Sequence, residues 1–278
     1  MQLPKNFQFS QKSLSDYVAC KRLFRYRYYD QIEWPAIEID PVNERERSMK
    51  LGAKFHKTLQ QFFLGLPREN IENHFTDEIL NKWWRNFEVC LDEIRTKDDI
   101  LIPEIRLSAP IKDQRIIAKL DLIVVKTDRR RIIFDWKTIS RRPNKMFLIN
   151  NMQTRVYPYL LTCAGDHVFP WNEFSPQHLE MVYWFAEHPG APERIAYSEK
   201  QFQEDEKYLH GLVSEIYTLS KSNFVKTDNE RHCAYCVYRS LCDRGIEAGK
   251  LEDLDELAFE ETSVDREFDF DQIKEIEY

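Results

Sequence analysis

Two neighbouring apolar segments in the middle of the chain contain charged residues where a buried strand rarely accepts them. Residues 115–125, rich in β-branched side chains, contain Asp121, and the run 131–136 contains Asp135 and is followed by Lys137. Polar turn residues separate the two segments, which predicts a β-hairpin. Asp135 and Lys137 are two residues apart and share one face of a strand, and hairpin pairing would bring Asp121 close to them. A fold for this chain must compensate these carboxylates, because burying an unpaired charge is costly.

The rest of the chain predicts helices before, between and after the strands. We expect helices at about 13–30, 43–64, 77–95, 150–163 and 199–221, and strands at 101–111, 115–125, 131–136, 179–186 and 194–197. Ser13 or Ser15 is the expected N-cap of the first helix. This order of helices, strands, helix, strands and helix predicts an α/β domain with a mixed sheet.

The negative charge of the chain is concentrated at its C-terminal end. The formal net charge of the 278 residues is −7, but Leu251–Tyr278 holds 12 acidic and 2 basic residues, so the preceding 250 residues carry +3. A mildly basic body is compatible with a nucleic-acid substrate, although charge alone does not indicate one. We expect the acidic tail to be disordered, with docking on a basic channel or on a protein partner as the alternative.

Several classes of function are excluded by missing motifs. The single Gly-Lys pair, Gly249-Lys250, is followed by Leu251, so the chain has no P-loop for phosphate binding. No apolar run is long enough to span a membrane, and residues 1–10 lack the apolar core of a signal peptide. We therefore expect a cytoplasmic protein without membrane contact, in which six cysteines serve as thiols or metal ligands rather than disulfides.

The charged residues of the hairpin suit a divalent cation. Mg²⁺ prefers one or two carboxylates, completed by water and phosphate oxygens, and a neighbouring lysine can stabilise charge that develops on phosphorus. A solvated hairpin with a cross-strand ion pair is the alternative. His56 lies on the helix before the sheet, and Gln153 and Tyr157 share one face of the helix after it. None of these three residues is informative alone.

Together and in this order, these residues resemble the RecB-type branch of the PD-(D/E)XK nuclease superfamily. The matching residues are His56, Asp121, Asp135, Lys137, Gln153 and Tyr157. The resemblance implies that Mg²⁺ or Mn²⁺ is bound by His56, Asp121, Asp135 and the backbone carbonyl of Trp136. It also implies that Lys137 serves the attacking water, and that Gln153 and Tyr157 contact DNA or shape the site. Glu104, on the preceding strand, is expected to be a structural or supporting residue.

Four of the six cysteines form a second candidate site. Cys233, Cys236 and Cys242 have the spacing C-x2-C-x5-C, and Cys20 on the first helix is the natural fourth ligand. Four thiolates suit either a tetrahedral zinc ion or an iron–sulphur cluster, and the spacing does not decide between them. Buried structural thiols are a further alternative. The remaining two, Cys90 and Cys163, are expected to lie in the core.

The arrangement of one distant cysteine and a compact triplet resembles the iron–sulphur nucleases of the same superfamily, which include AddB-type nucleases and CRISPR-associated exonucleases. It implies a 4Fe–4S cluster that links the two ends of the domain. The expected fold is therefore a restriction-endonuclease-like mixed β-sheet flanked by helices, with a helical cap cross-linked by the cluster. We expect one nuclease domain over 1–250, with its catalytic core at about 43–200, the cap at about 10–35 and 225–245, and the tail at 251–278.

A basic and aromatic segment beside Cys20 is the predicted contact with DNA. Its candidate residues are Lys21, Arg22, Arg25, Arg27 and Tyr28. Cations that follow phosphates and rings that stack on bases are typical of single-strand channels, whereas a partly buried helix with solvated arginines is the alternative. We expect an exonuclease for single-stranded DNA, in recombination, repair or CRISPR spacer acquisition. A structure-specific endonuclease or nickase, and a non-catalytic DNA-binding iron–sulphur subunit, are the alternatives.

Overall fold

A computed structural model describes residues 3–4, 6–32, 40–73, 75–168, 175–234 and 236–245 of the chain. The predicted acidic tail, 251–278, lies outside these residues, as does part of the first cap segment. None of the described helices is both long and apolar enough to cross a membrane.

The described helices and strands follow the predicted order. The strands are β1 Gln8–Ser10, β2 Ile100–Ile111, β3 Gln114–Val125, β4 Arg131–Lys137, β5 Leu179–Phe185 and β6 Glu193–Ala196. The helices are α1 Gln11–Ala19, α2 Lys21–Phe24, α3 Asp40–Phe63, α4 Arg68–Glu72, α5 Glu78–Ile94, α6 Lys145–Asn150, α7 Met152–Val168 and α8 Glu199–Thr218. The strands β2 to β6 and the helices α3, α5, α7 and α8 were all predicted, whereas β1, α4 and α6 were not.

All six strands form one mixed sheet in the order β1-β3-β4-β5-β6, with β2 paired to the other edge of β3. The pairs β1–β3 and β4–β5 are parallel, and the pairs β2–β3, β3–β4 and β5–β6 are antiparallel. The predicted mixed sheet is thus confirmed. One edge of β3 is shared by two strands, because its residues 115–117 pair with β1 and its residues 122–125 pair with β4.

Apolar side chains cover both faces of the sheet and form two separate cores. Helices α1, α7 and α8 cover one face, where the buried residues include Leu14, Leu160 and Leu209. Helices α3 and α5 cover the other face, where Phe55 and Phe87 pack against the tryptophans of the strands. A mixed sheet between two helical layers fits the restriction-endonuclease-like core that the sequence predicts.

The first helix differs from its prediction at both ends. Its N-cap is Ser10, which accepts a hydrogen bond from the backbone N–H of Ser13, and the Ser13 hydroxyl in turn accepts one from the N–H of Ser10. The predicted single helix to residue 30 is wrong, because Cys20 adopts an extended conformation with φ −162° between α1 and α2. After α2 the chain continues as a π-helical turn, Arg25–Tyr29.

The two remaining cysteines occupy different environments. Cys90 lies on α5 and is buried in the core, as predicted. The prediction that Cys163 is a core residue is wrong, since its side chain is exposed. Cys163 lies on the outer side of α7, eight residues after the half-buried Arg155, whereas Leu160 and Leu161 face the core.

Candidate active site

The strands β2 and β3 both change sides of the sheet at one level, and that level is marked by Glu104 and Asp121. Residues an even number apart on a strand should share a face. Leu120 nevertheless packs in the core beneath α7 and α8, whereas Leu122 packs beneath α3 and α5. The pairs Pro103–Leu122 and Ile105–Leu120 flank this level, and Glu104 has a left-handed φ of 54°. At this level the two strands carry the carboxylates of Glu104 and Asp121, where a regular buried strand would carry apolar side chains.

Asp121 lies on β3 just before residues 122–125, which pair with β4, and after residues 115–117, which pair with β1. Its Oδ2 accepts a hydrogen bond of 2.8 Å from the backbone N–H of Trp136, just beyond the last ladder pair, Leu122–Phe134. Its Oδ1 lies 3.2 Å from Nδ1 of His56 on α3. The carboxylate thus takes over a hydrogen bond that strand pairing would otherwise supply, and it links β3 to both β4 and α3.

The helix α3 reaches the sheet closely enough to position His56 because Gly52 has no side chain. Gly52 precedes His56 by four residues and so lies on the same helix face. A Cβ atom at Gly52 would lie 2.8 Å from Oγ1 of Thr138, the residue that follows Lys137. The absence of that atom therefore allows the backbone of α3 to approach the end of β4.

Asp135, Lys137 and Gln153 form a buried network on the face of β4 that α7 covers. Lys137 Nζ lies 2.7 Å from Oδ2 of Asp135 and 3.0 Å from Oε1 of Gln153. The Gln153 amide also donates to Oδ1 of Asp135 at 2.5 Å. Asp135 and Lys137 are 2% and 0% exposed, whereas the side chains of Asp121 and His56 are 14% and 22% exposed. Access from solvent is therefore on the Asp121 and His56 side.

A polar layer beneath the network fixes it in place. The ring of Tyr183, paired with Asp135 in the β4–β5 ladder, lies with its centroid 5.7 Å from Lys137 Nζ. The Tyr183 hydroxyl is 2.7 Å from Oγ1 of Thr154, on the same helix as Gln153. A cation above an aromatic face is stabilised by the quadrupole of the ring. Lys137 is thus held in one orientation by three neighbours.

Burial and mutual charge perturb the titration of these side chains. Burial disfavours the charged imidazole, but the facing Asp121 carboxylate outweighs it and raises the pKa of His56. Burial also opposes ionisation of Asp121, yet the nearby His56 keeps its pKa below the ordinary value. Burial raises the pKa of Asp135 to about 6 despite the adjacent Lys137. Burial and then the charge of Asp121 raise the pKa of Glu104.

The residues present fit a divalent cation. Ligand atoms of His56, Glu104 and Asp121 all lie within 4.8 Å of one another, the one such set in the part of the chain that the structure describes. Oδ2 of Asp135 is fully shielded and accepts no hydrogen bond of favourable geometry, although Lys137 is near. Carboxylate oxygens suit Mg²⁺ and Mn²⁺, and an imidazole nitrogen is a ligand for transition metals.

The chain matches one family model over most of its length. The model is that of the PD-(D/E)XK nuclease superfamily, and it matches residues 8–243. The chain belongs to this superfamily. A comparison with curated protein sequences finds no match.

Two solved structures are matched by this PD-(D/E)XK protein. A candidate exonuclease from Eubacterium rectale has a TM-score of 0.51 and 8% sequence identity, over 92% of this chain and 98% of that one. At this identity the similarity concerns the fold alone. The crystal structure of SSO0001 has a TM-score of 0.40 and 14% identity, over 88% and 90% of the two chains.

The structure brings together most of the residues that the resemblance to this superfamily singled out. Asp121 contacts His56 and the N–H of Trp136, and the backbone of Trp136 joins Asp121 to the network of Asp135 and Lys137. Tyr157 lies one turn after Gln153 and is 5% exposed on the core side of α7. Sequence reasoning did not single out Gly52, Thr138 or Tyr183, and it rated Glu104 as structural or supporting.

The four cysteines of the predicted cluster site line one pocket of this PD-(D/E)XK protein. Cys20, at the break between α1 and α2, faces Cys233, Cys236 and Cys242 across it. Backbone contacts join the two segments, since the N–H of Arg22 donates to the carbonyl of Val225 at 3.1 Å. Burial raises the pKa of the Cys236 thiol to about 11. Among the described residues, no three of these sulphur atoms all lie within 4.8 Å of one another.

The basic segment beside Cys20 is engaged in contacts within the protein. Each of the five predicted DNA-binding residues has a polar partner. The partners are Glu215 for Lys21, the carbonyl of Phe224 for Arg22, Asp30 for Arg25, and Asp16 for both Arg27 and Tyr28. These contacts match the alternative of a partly buried helix, and DNA binding by this segment stays a prediction.

Proposed function

We propose that this chain is a metal-dependent deoxyribonuclease that hydrolyses phosphodiester bonds and acts on single-stranded DNA ends. One observation carries the proposal: the pair of His56 and Asp121 meets the network of Asp135, Lys137 and Gln153 at the backbone of Trp136. Carboxylates, an imidazole and a fixed ammonium group within one site are the groups that metal-assisted phosphate hydrolysis requires. Membership of a nuclease superfamily supports the same reaction.

Each group has a chemical task in this proposal. His56 and Asp121 would hold a divalent cation, which would supply Lewis-acid polarisation of the phosphodiester. The ammonium of Lys137 stabilises the negative charge that develops on the phosphate, and its fixed position means that little reorganisation is needed at that moment. Gln153 contacts both Lys137 and Asp135 and so fixes their relative orientation. The shielding of this network supports a strong electrostatic effect, because water screens it poorly.

Substitution of the reacting groups tests the catalytic assignment. We expect Asp121→Asn, Asp135→Asn and Lys137→Met each to lower Mn²⁺-dependent cleavage of labelled DNA at least about 100-fold, the usual cost of removing one electrostatic stabiliser. Asp128→Asn, in the exposed turn before β4, is the matched control and should cleave normally. Circular dichroism and thermal unfolding show whether each variant folds. Normal cleavage by a folded Asp135→Asn protein would remove the basis of the proposal.

The form of the substrate separates an exonuclease from an endonuclease. An exonuclease degrades linear single strands and leaves covalently closed single-stranded circles intact. A structure-specific endonuclease or nickase cuts circles or branched duplexes and leaves long products. We expect short products from linear strands and no cleavage of circles. Absence of any cleavage, together with retained DNA binding, would favour a non-catalytic DNA-binding subunit.

We also propose that Cys20, Cys233, Cys236 and Cys242 hold a 4Fe–4S cluster. The four residues line one pocket, which supports a shared metal centre. Anaerobically purified protein should contain about four irons and matching sulphide per chain. Stoichiometric zinc without iron would refute the cluster.

A further inference from the structure

The carboxylate that accompanies His56 and Asp121 in the structure is that of Glu104. Its ligand oxygen lies within 4.8 Å of the ligand atoms of both residues. Asp135, which the resemblance implies as a ligand, is not part of that set, and its oxygens lie against Lys137 and Gln153. The solvent side of the site is therefore lined by an imidazole and two carboxylates from α3, β2 and β3.

The local backbone places Glu104 at this position. A left-handed φ of 54° at Glu104 interrupts the regular alternation of β2, and the neighbouring residues Pro103 and Ile105 remain paired with β3. The side chain is 8% exposed, and its carboxylate forms an ion pair with Lys119 of the adjacent strand. A glutamate with a positive φ is uncommon, and two facing carboxylates withdrawn from water are costly unless positive charge compensates them.

A second observation points to a cation at the same place. Asp121 lies within 4.8 Å of the Glu104 ligand oxygen, and its Oδ2 accepts a hydrogen bond from the N–H of Trp136, the residue that follows Asp135. Asp135, 2% exposed, keeps an oxygen that accepts no hydrogen bond of favourable geometry. Three carboxylates in one shielded region are compensated most simply by a divalent cation.

We propose that Glu104 is a protein ligand of the divalent cation, beside His56 and Asp121, and that Lys119 is its counterion when no cation is bound. This inference rests on the proposed metal-dependent nuclease function. When the cation binds, the carboxylate of Glu104 exchanges its contact with Lys119 for direct coordination of the metal. Glu104 therefore contributes to metal affinity and to the number of water molecules that the metal retains.

The test measures Mn²⁺ binding directly rather than DNA cleavage. Isothermal titration with Mn²⁺ gives the affinity of wild type, Glu104→Gln, Glu104→Asp and Lys119→Met, and water-proton relaxation gives the number of waters on the bound ion. Glu104→Gln should weaken Mn²⁺ binding at least about tenfold, as changes around metal sites do, and should add one bound water. Glu104→Asp should also weaken binding, because the shorter side chain retracts the oxygen. Lys119→Met should bind Mn²⁺ at least as tightly as wild type.

Controls separate ligation from charge and from structure. Glu180→Gln removes one partner of a comparable cross-strand ion pair, with Arg194, outside the set of His56, Glu104 and Asp121, and should leave Mn²⁺ binding unchanged. Equal losses of affinity in Lys119→Met and Glu104→Gln, or normal binding with an unchanged water count in Glu104→Asp, would overturn the inference. Should Glu104→Gln fail to fold, Glu104→Asp and Lys119→Met still give opposite outcomes for a ligand and for a structural ion pair. A wild-type protein that binds no Mn²⁺ would instead refute the proposed metal-dependent function.

Discussion

The close approach of α3 to the end of β4 can be tested by adding a single methyl group. In Gly52→Ala the new Cβ would lie 2.8 Å from Oγ1 of Thr138, and ordinary contact begins at 3.4 Å, so the atoms must separate by about 0.6 Å. Overpacking of this kind costs about 1–3 kcal/mol. Alanine in place of glycine within a helix recovers about 1 kcal/mol. The free energy of unfolding should therefore fall by about 0–2 kcal/mol.

Activity should fall far more than stability. A shift of α3 carries His56, one turn later, away from Asp121, and a misplacement near 1 Å can cost about 100-fold in rate. We expect Gly52→Ala to lower the rate of Mn²⁺-dependent DNA cleavage by roughly 10- to 100-fold. Gly211→Ala is the matched control, because a Cβ at that position of α8 meets no atom within 4 Å. It should leave cleavage unchanged and stabilise the helix by about 1 kcal/mol.

A second substitution should restore the lost activity. Thr138→Ala removes the atom that the new methyl group contacts, so the double variant Gly52→Ala/Thr138→Ala should recover most of the wild-type rate. The coupling energy from unfolding of the four proteins should be about 0.5–3 kcal/mol. Rotation of the Thr138 side chain does not readily relieve the contact. Its Cβ carries two heavy atoms, so only one of its three staggered rotamers turns a hydrogen towards α3. Wild-type cleavage by Gly52→Ala, or a double variant no more active than the single one, would refute the reasoning.

Three further predictions concern the N-terminal cap, the cluster and the tail. Ser10→Ala removes the N-cap of α1 and should lower the free energy of unfolding by about 1 kcal/mol in urea titrations, with unchanged metal content. Cys20→Ser should abolish iron retention, whereas Cys163→Ser, at an exposed position, should retain full iron; equal iron content in the two would contradict the ligand assignment. Deletion of Leu251–Tyr278 changes the formal net charge from −7 to +3, so DNA binding should tighten and depend more steeply on salt. Equal affinities across a salt series would exclude an electrostatic effect of the tail.

The elements that the sequence predicts well are those whose apolar pattern is long and regular. Helix α5 begins at Glu78, after its N-cap Asp77, and ends at Ile94, so it lies one residue inside the predicted bounds at each end. Strand β3 extends one residue beyond its prediction. In α5 the burial of one helix face specifies the conformation, and in β3 a long run of β-branched and apolar residues does so. In neither case does a distant partner need to be known.

Other elements depend on contacts that a local pattern cannot contain. Strand β1 has three residues and exists through parallel pairing with β3, more than 100 residues later. The break at Cys20 is marked by neither glycine nor proline. Lys21 was a predicted DNA contact, but its partner, Glu215, lies 194 residues away in the chain. A basic helix that binds phosphates and one that binds its own acidic residues have the same sequence pattern.

The positions of Asp121 and Glu104 carry a signal that the sequence does contain. Ile102 and Ile105 pack on the same face of the sheet although they are three residues apart, and so do Leu120 and Ile123. An apolar spacing of three within a strand indicates that the chain changes sides, and the skipped positions contain Glu104 and Asp121. The spacing thus identifies the irregular level, but not that the two irregularities face each other, which follows from the register of β2 and β3.

The irregular level at Glu104 and Asp121 also explains why one part of the site is open to solvent and the other part is buried. A continuous antiparallel ladder would pair every second N–H of β4 with β3 and leave no opening beside Asp121. Because the ladder ends at Leu122–Phe134, the Asp121 side chain accepts the next N–H, and the carboxylate stays at the solvent side with His56. Asp135 and Lys137, which follow the undisturbed alternation of β4, stay buried against α7. One break in one ladder therefore separates an accessible set of candidate ligands from a shielded ammonium group, and Trp136 is the residue that joins them.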